Sequence, residues 1–318
     1  MIAADALRPH LLMPGTYPDW DMQALEQDYT VLRLWEAADQ AAFLAKHAPA
    51  VRAVATRGDL GAAAGLLAQL PALEIISCYG VGTDAIAVDI ARSRGIAVTN
   101  TPDVLTGDVA DLAAGLALAL LRRIPAADSF VRSGVWPSQG MPLASRLHGK
   151  RAGIAGMGRI GAATARRLAA FDMSIGYFSR QPKADSAGTH FTDLAALADW
   201  CDVLVVTLPG GAATANIVDA QVLQALGPQG WLVNVARGST VDEAALLQAL
   251  EARSIAGAAL DVFWNEPRID TRFLALDNVV LQPHLGSATT ETRRAMGQLV
   301  RDNLAAHFAG RPLITPLP

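Results

Sequence analysis

The sequence predicts an α/β protein made of two doubly wound parallel sheets, and three observations predict it. The 318 residues amount to about two domains of ordinary size. Short apolar runs alternate with helical stretches from one end to the other, the pattern of parallel β/α units. Hydrophobic residues make up 52% of the chain, enough to bury a large core in each unit.

In the first part of the chain the strand candidates are 10–13, 31–34, 51–55, 74–77 and 97–100, with helical stretches between them. Thr101-Pro102-Asp103 then breaks the pattern, because proline restricts both itself and the residue before it; a crossover between domains is expected there. The stretch 105–123 is rich in alanine and leucine on nearly every side and predicts a helix buried between layers. Its apolar run, 112–121, is half the ~20 residues that span a bilayer, and Arg122 and Arg123 close it. A second series follows, with strand candidates at 152–155, 174–178, 203–207, 231–235, 257–261 and 279–281. The last helical segment, 289–309, is expected to return to the first domain.

Composition excludes several classes. Lys and Arg number 26 against 30 Asp and Glu, a net charge of −4, so the basic surface that neutralises nucleic-acid phosphates is missing. The N-terminus carries no positive region ahead of an apolar stretch, so no signal peptide and no membrane partner is expected, and a cytoplasmic location is. Two cysteines, Cys78 and Cys201, cannot form a disulfide framework and lie beside strand-like runs as core thiols do. The six histidines never stand four apart around a glutamate, and no metal site is expected.

Directly after the first strand of the second series stands Gly156-Met157-Gly158-Arg159-Ile160-Gly161, opening an alanine-rich helix. Glycines in this spacing permit a tight turn and let the backbone approach a pyrophosphate at a helix N-terminus, whose N–H groups and dipole attract anions. A dinucleotide site with a ribose-binding carboxylate would place it at the end of the next strand. Here the chain reads Phe178-Ser179-Arg180-Gln181-Pro182-Lys183, and no carboxylate occurs between Asp172 and Asp185. A carboxylate would repel the 2′-phosphate of NADP, whereas Ser179 can hydrogen-bond it and Arg180 can pair with it through two N–H groups. NADP(H) is the expected cofactor, with NAD(H) used at lower preference; a merely solvated turn at Arg180 and Lys183 is the alternative.

Three residues follow strands of the second series at the carboxyl ends, where such sheets place their ligands. They are Arg237 in NVARG, Glu266 in DVFWNEP and His284 in PHLGS. Each alone could be a purely structural residue. Together with the glycine loop they fit the reduction of a 2-keto acid, which needs a hydride, a proton for the developing alkoxide and a cation on the carboxylate. His284 can donate the proton if charged, and a carboxylate beside it, Glu266, favours the imidazolium. Arg237 carries a fixed charge that can fork onto the substrate.

Six ordered motifs, GVGTDAIAVD, TPDVLTGDVADLA, GIAGMGRIG, NVARGSTVDEAAL, GAALDVFWNEP and QPHLGSAT, resemble the D-isomer-specific 2-hydroxyacid dehydrogenase family over essentially the whole length. The resemblance implies a flavodoxin-like substrate domain, 1–100 with 287–318, and an inserted Rossmann cofactor domain, 101–286, with the active site in the cleft between them. It implies Arg237, Glu266 and His284 as the catalytic set, and the backbone of Val81 and Gly82 as the holder of the substrate carboxylate. Asp261 is then expected to face the nicotinamide carboxamide. Thr106, Leu208, Pro209, Thr214, Val235, Ala236 and Gly286 join the cofactor contacts by the same likeness, although Gly210 and Gly211 stand where the family often has a polar residue.

Within the family, Tyr177 with Arg180-Gln181-Pro182-Lys183 resembles the NADPH-using glyoxylate/hydroxypyruvate reductases. Hydroxyphenylpyruvate and 2-ketogluconate are alternative substrates. Arg57 is either a second cation of the substrate site or a solvent-facing arginine. Trp136 resembles an aromatic that some relatives send into a neighbouring subunit, core packing being the alternative, and a homodimer is expected. A nucleotide-sensing corepressor is the reading from another class; a chain ending at Pro318 without a recruitment tail counts against it.

Overall fold

The computed structural model describes residues 8–184 and 186–318; the N-terminal residues 1–7 and Asp185, which bounded the carboxylate-free stretch, lie outside the described residues. Two compact units emerge. One holds the described residues up to Leu105 together with Thr289–Pro318, and the other is Thr106–Ala288. These borders differ by a few residues from those expected at 100/101 and 286/287, for a local reason. Thr101 is tied to Gly80 through both its N–H and its hydroxyl, and Thr292 donates to the carbonyl of Val104, so residues 101–104 stay with the first unit.

In the first unit, β1 (His10–Met13), α1 (Asp19–Asp28), β2 (Thr30–Arg33), α2 (Gln40–His47), β3 (Val51–Arg57), α3 (Ala64–Gln69), β4 (Ile75–Tyr79), α4 (Val88–Ser93) and β5 (Ala97–Thr99) succeed one another. The sheet order is β2-β1-β3-β4-β5, and every pair is parallel. Such strands are buried on both faces, which is why they read as continuous apolar runs; Leu11, Leu12, Val54, Ile75 and Ile76 are all fully buried.

The second unit opens with α5 (Thr106–Leu121) and α6 (Ile124–Arg132), separated by Arg123 in the left-handed conformation at φ +55°. Then follow β6 (Arg151–Ala155), α7 (Arg159–Ala169), β7 (Ser174–Phe178), β8 (Thr189–Phe191), α8 (Leu194–Trp200), β9 (Val203–Val206), α9 (Ala220–Leu226), β10 (Trp231–Asn234), α10 (Glu243–Glu251), β11 (Gly257–Leu260) and β12 (Val279–Leu281). The seven parallel strands run β12-β11-β10-β9-β6-β7-β8, so the order reverses between β6 and β9. Leu204, Val206, Leu232, Ala258 and Leu260 join one core with α8, α9 and α10. The alternating Val203, Val205, Val233 and Ala259 are equally buried, and α5 and α7 supply that second layer. Strand β8 was not expected: it is a three-residue edge strand whose Thr189, His190 and Phe191 lack an apolar run.

The chain then returns to the first unit as α11 (Thr290–Phe308), which packs against β4 and α1. Beyond it, the segment around Thr315 and Pro316 bridges to β5. Among the described residues, no helix is long and apolar enough to cross a membrane. Both cysteines are buried, and burial pushes the Cys201 thiol up to about 12.

Candidate active site

The glycine loop has the geometry its spacing suggests. Gly156 sits at φ +107°, where a Cβ would come within 2.9 Å of the Leu208 nitrogen, so a larger residue would collide with the next strand's loop. At Gly161 a Cβ would meet the Gly156 carbonyl oxygen at 2.0 Å, which is how α7 comes to lie so close to the turn. Gly158 is the N-cap of α7, offers no side-chain cap, and a Cβ there would meet nothing within 4 Å. The first N–H groups of a helix lack intrahelical partners, so this end fits an anionic pyrophosphate. Thr207 braces the turn by donating its hydroxyl to the Gly156 carbonyl at 2.7 Å.

The residues expected to meet the 2′-phosphate lie at the end of β7. The Ser179 hydroxyl donates to the Gln181 carbonyl at 2.6 Å, so its hydrogen closes the turn and is not offered to a phosphate. Arg180, Gln181 and Lys183 are exposed. The Lys183 N–H donates to the Tyr177 hydroxyl at 2.9 Å, and His190 Nε2 lies 2.9 Å from the Ser179 carbonyl. His190 belongs to the unexpected β8 and braces this turn from the neighbouring strand. Thr214 likewise spends its hydroxyl on the Pro209 carbonyl at 2.6 Å. Val235 and Ala236 are buried, Leu208 is half-buried and Pro209 is exposed beside it. Thr106 begins α5.

Arg237 follows β10 on a turn clamped from two sides. Asn234 Nδ2 donates to the Arg237 carbonyl at 3.0 Å, and the Thr240 hydroxyl donates to the same oxygen at 2.7 Å. Asn234 Oδ1 accepts from the Ala236 N–H, and the guanidinium donates back to the Ala236 carbonyl at 2.8 Å. A Cβ on Gly238 would lie 2.0 Å from the Phe263 carbonyl carbon, so glycine is what lets this turn touch the backbone leading to Glu266. Asn234, Gly238 and Thr240 were not anticipated as supports.

His284 and Glu266 meet, with Nδ1 to Oε2 at 2.6 Å, and the other carboxylate oxygen accepts the Phe263 N–H at 2.7 Å. The imidazole Nε2 has no hydrogen-bond partner among the described residues. Burial pushes the Glu266 carboxyl up, but the hydrogen bond and charge of His284, the Phe263 N–H and the Arg237 charge outweigh it, and the carboxyl titrates below its ordinary range. Asp261 accepts the Leu285 N–H at 2.6 Å and the Gly286 N–H at 2.9 Å, and its own carbonyl accepts the His284 N–H. It therefore aims the histidine loop, whatever further contact it makes. Burial raises its carboxyl above the ordinary value despite those two N–H groups. His284 itself is held at φ +55°.

In the first unit, Val81 and Gly82 lie on the loop after β4, and their N–H groups have no partner among the described residues. Arg57, at the end of β3, is not a bare cation: its guanidinium forks onto Asp59, with contacts of 3.0 and 2.5 Å. Trp136 is 65% exposed, which removes core packing within the chain as its role.

Comparison with known proteins gives the geometry its kin. The family model described as "D-isomer specific 2-hydroxyacid dehydrogenase, NAD binding domain" matches residues 114–286. A 2-ketogluconate reductase of Gluconobacter oxydans is 51% identical over 270 residues, 85% of this chain and 87% of the relative. The glyoxylate/hydroxypyruvate reductase A HPR2 of Arabidopsis thaliana is 47% identical over 293 residues, 92% of this chain and 94% of the relative. Among solved structures, an NADPH-dependent glyoxylate/hydroxypyruvate reductase from Sinorhizobium meliloti, in complex with NADP and malonate, superposes with a TM-score of 0.92 at 45% identity, covering 98% of this chain and 97% of that one. With likeness of this extent along nearly the whole chain, and a nucleotide-binding half that the family model spans, the protein belongs to the D-isomer specific 2-hydroxyacid dehydrogenase family.

Proposed function

We propose that the protein reduces small 2-keto acids such as glyoxylate and hydroxypyruvate to D-2-hydroxy acids with NADPH, His284 delivering the proton. The observation that carries this reading is the 2.6 Å contact between His284 Nδ1 and Glu266 Oε2. A carboxylate on Nδ1 holds the proton there, favours the charged ring and leaves Nε2–H as the donor for an alkoxide. Glu266 keeps its charge through neutral pH because its carboxyl titrates low.

NADPH, when bound, supplies the hydride. Gly156, Gly158, Arg159, Ile160 and Gly161 hold its pyrophosphate, while Arg180, Gln181 and Lys183 answer the 2′-phosphate. NAD(H) lacks that phosphate and serves at lower efficiency. Arg237 draws electron density from the keto group and pairs with the carboxylate. The N–H groups of Val81 and Gly82 are donors suited to a keto acid's carboxylate, which makes the first unit the substrate-binding domain and the second the cofactor domain. The named activities of the Arabidopsis and Sinorhizobium relatives support the small keto acids, and that of the Gluconobacter relative favours 2-ketogluconate as a second substrate. A homodimer in the cytoplasm completes the reading. The unburied apolar surface of α6 supports the dimer, and two cysteines, too few for a disulfide framework, suit a reducing compartment.

The test is steady-state turnover of glyoxylate, hydroxypyruvate, hydroxyphenylpyruvate and 2-ketogluconate with NADPH and with NADH. Glyoxylate and hydroxypyruvate are expected to turn over fastest, with NADPH preferred. Absence of turnover with every 2-keto acid would overturn the assignment.

A further inference from the structure

We propose that Asn100 is a positioning residue for substrate, one that sets the direction in which the Gly82 N–H points, and that Thr315 near the end of the chain locks Asn100 in place. This rests on the reading of Val81 and Gly82 as donors to the substrate carboxylate.

Along Gly80–Gly82 each carbonyl accepts a hydrogen bond, while the N–H groups of Val81 and Gly82 have no partner among the described residues. The Gly80 carbonyl accepts the Thr101 N–H at 3.0 Å, and the Gly80 N–H donates to the Thr101 hydroxyl at 3.0 Å. The Val81 carbonyl accepts Asn100 Nδ2 at 2.9 Å. The Gly82 carbonyl accepts the thiol of Cys78 at 3.5 Å. A trans peptide is planar, so its C=O and the following N–H point in opposite directions. Holding the Gly80 carbonyl therefore aims the Val81 N–H, and holding the Val81 carbonyl aims the Gly82 N–H. The first of these is fixed by backbone, at Thr101. The second depends on a single side-chain amide. Without it, the Val81–Gly82 peptide can turn and carry its donor away from an incoming carboxylate.

Asn100 is itself buried and fastened. Its carbonyl accepts the Thr315 hydroxyl at 2.6 Å, and its N–H donates to the Thr315 carbonyl at 3.4 Å. Asn303 on α11 fixes that segment by accepting from the Ile314 and Thr315 N–H groups at 3.0 and 3.1 Å and donating to the Thr315 hydroxyl at 2.9 Å. A line of hydrogen bonds thus runs from α11 through Thr315 and Asn100 to the peptide that presents the Gly82 donor, all inside the first unit. Preorganising a donor in this way lowers the cost of binding an anion.

Asn100→Asp keeps the shape and replaces the amide donor by a carboxylate that repels the Val81 carbonyl. The expected result is a rise of about tenfold in KM for glyoxylate, the worth of one hydrogen bond to a charged group, with kcat little changed and NADPH affinity, read by its fluorescence, unaltered. Thr315→Val, which cannot donate to Asn100, is expected to raise the same KM by less, and Thr315→Ser to restore it; this pair decides the matter if Asn100→Asp fails to fold. An unchanged KM in the folded variants, or a parallel loss of NADPH affinity, would overturn the positioning role while leaving the proposed function standing. A wild-type protein inert toward all 2-keto acids would remove that function and this inference together.

Discussion

His284 occupies the left-handed backbone region, a conformation that costs a residue with a side chain about 1–3 kcal/mol and persists only where neighbours over-determine it. Asp261 is what over-determines it, through three hydrogen bonds to residues 284–286. A histidine held at such expense of conformation is expected to matter: His284→Ala should cut the reductive rate by ~100-fold or more. Near-normal turnover would dismiss it as the proton donor. Glu266→Gln replaces the carboxylate that holds His284 Nδ1 by an amide, so the reductive rate is expected to fall while NADPH binding is kept. The same variant tests linkage. The Glu266 carboxyl titrates below its unfolded value, so its contribution to stability is present above the ordinary carboxylate range and is lost as pH falls through the lowered value. Melting temperatures measured from pH 7 downward should therefore fall less steeply in Glu266→Gln than in the wild type. Arg180→Ala is expected to erode the NADPH over NADH preference in kcat/KM, and an unchanged ratio would return Arg180 to the status of a solvated turn. At this scale the sequence disclosed the residues that bear charge, because a cation, a carboxylate and a histidine placed after three strands of one parallel sheet all stand where such sheets hold ligands. It did not disclose Asn234, Thr240 or the hydroxyl bond of Ser179, since a side chain's bond to nearby backbone exists only once the turn has closed.

Elements were legible where an apolar run stands between helical stretches. The bounds 10–13, 174–178 and 279–281 recur unchanged in β1, β7 and β12, because apolar runs between helices have one way to be satisfied in a parallel sheet. Strand β8 escaped, being short, at the sheet's edge and half polar. The glycine loop was visible as a motif, but its reason is visible only in contacts. Gly161 is the tightest point, with a hypothetical Cβ 2.0 Å from the Gly156 oxygen. Gly161→Ala should push α7 away from the turn and weaken NADPH binding severely, whereas Gly158→Ala, which meets no neighbour within 4 Å, should leave the fold intact and hinder only the ligand. Thermal melts with and without NADPH separate the two: the first variant loses intrinsic stability, the second loses the ligand-induced rise. Equal melting behaviour in both would refute the steric account of the motif.

Over the whole molecule, the two-sheet architecture followed from length and alternation, while the surface of α6 did not. None of that helix's residues is buried, and Trp136 and Leu143 beyond it are 65% and 98% exposed. Apolar side chains gathered this way on one stretch of chain mark a contact surface, and a second copy is the occupant proposed. Val131→Asp combined with Leu143→Asp should give a monomer by light scattering; an unaltered mass would move the interface elsewhere. The first unit is also discontinuous: α11 lies against β4, and Tyr79 donates to the Arg293 carbonyl 214 positions later in the chain. On the ribosome, therefore, β1 to β5 emerge before the second unit but await a covering helix that is made after it. The intervening stretch can fold as a unit while its host is unfinished, and during that interval one face of the earliest strands is the part of the nascent chain most in need of a chaperone.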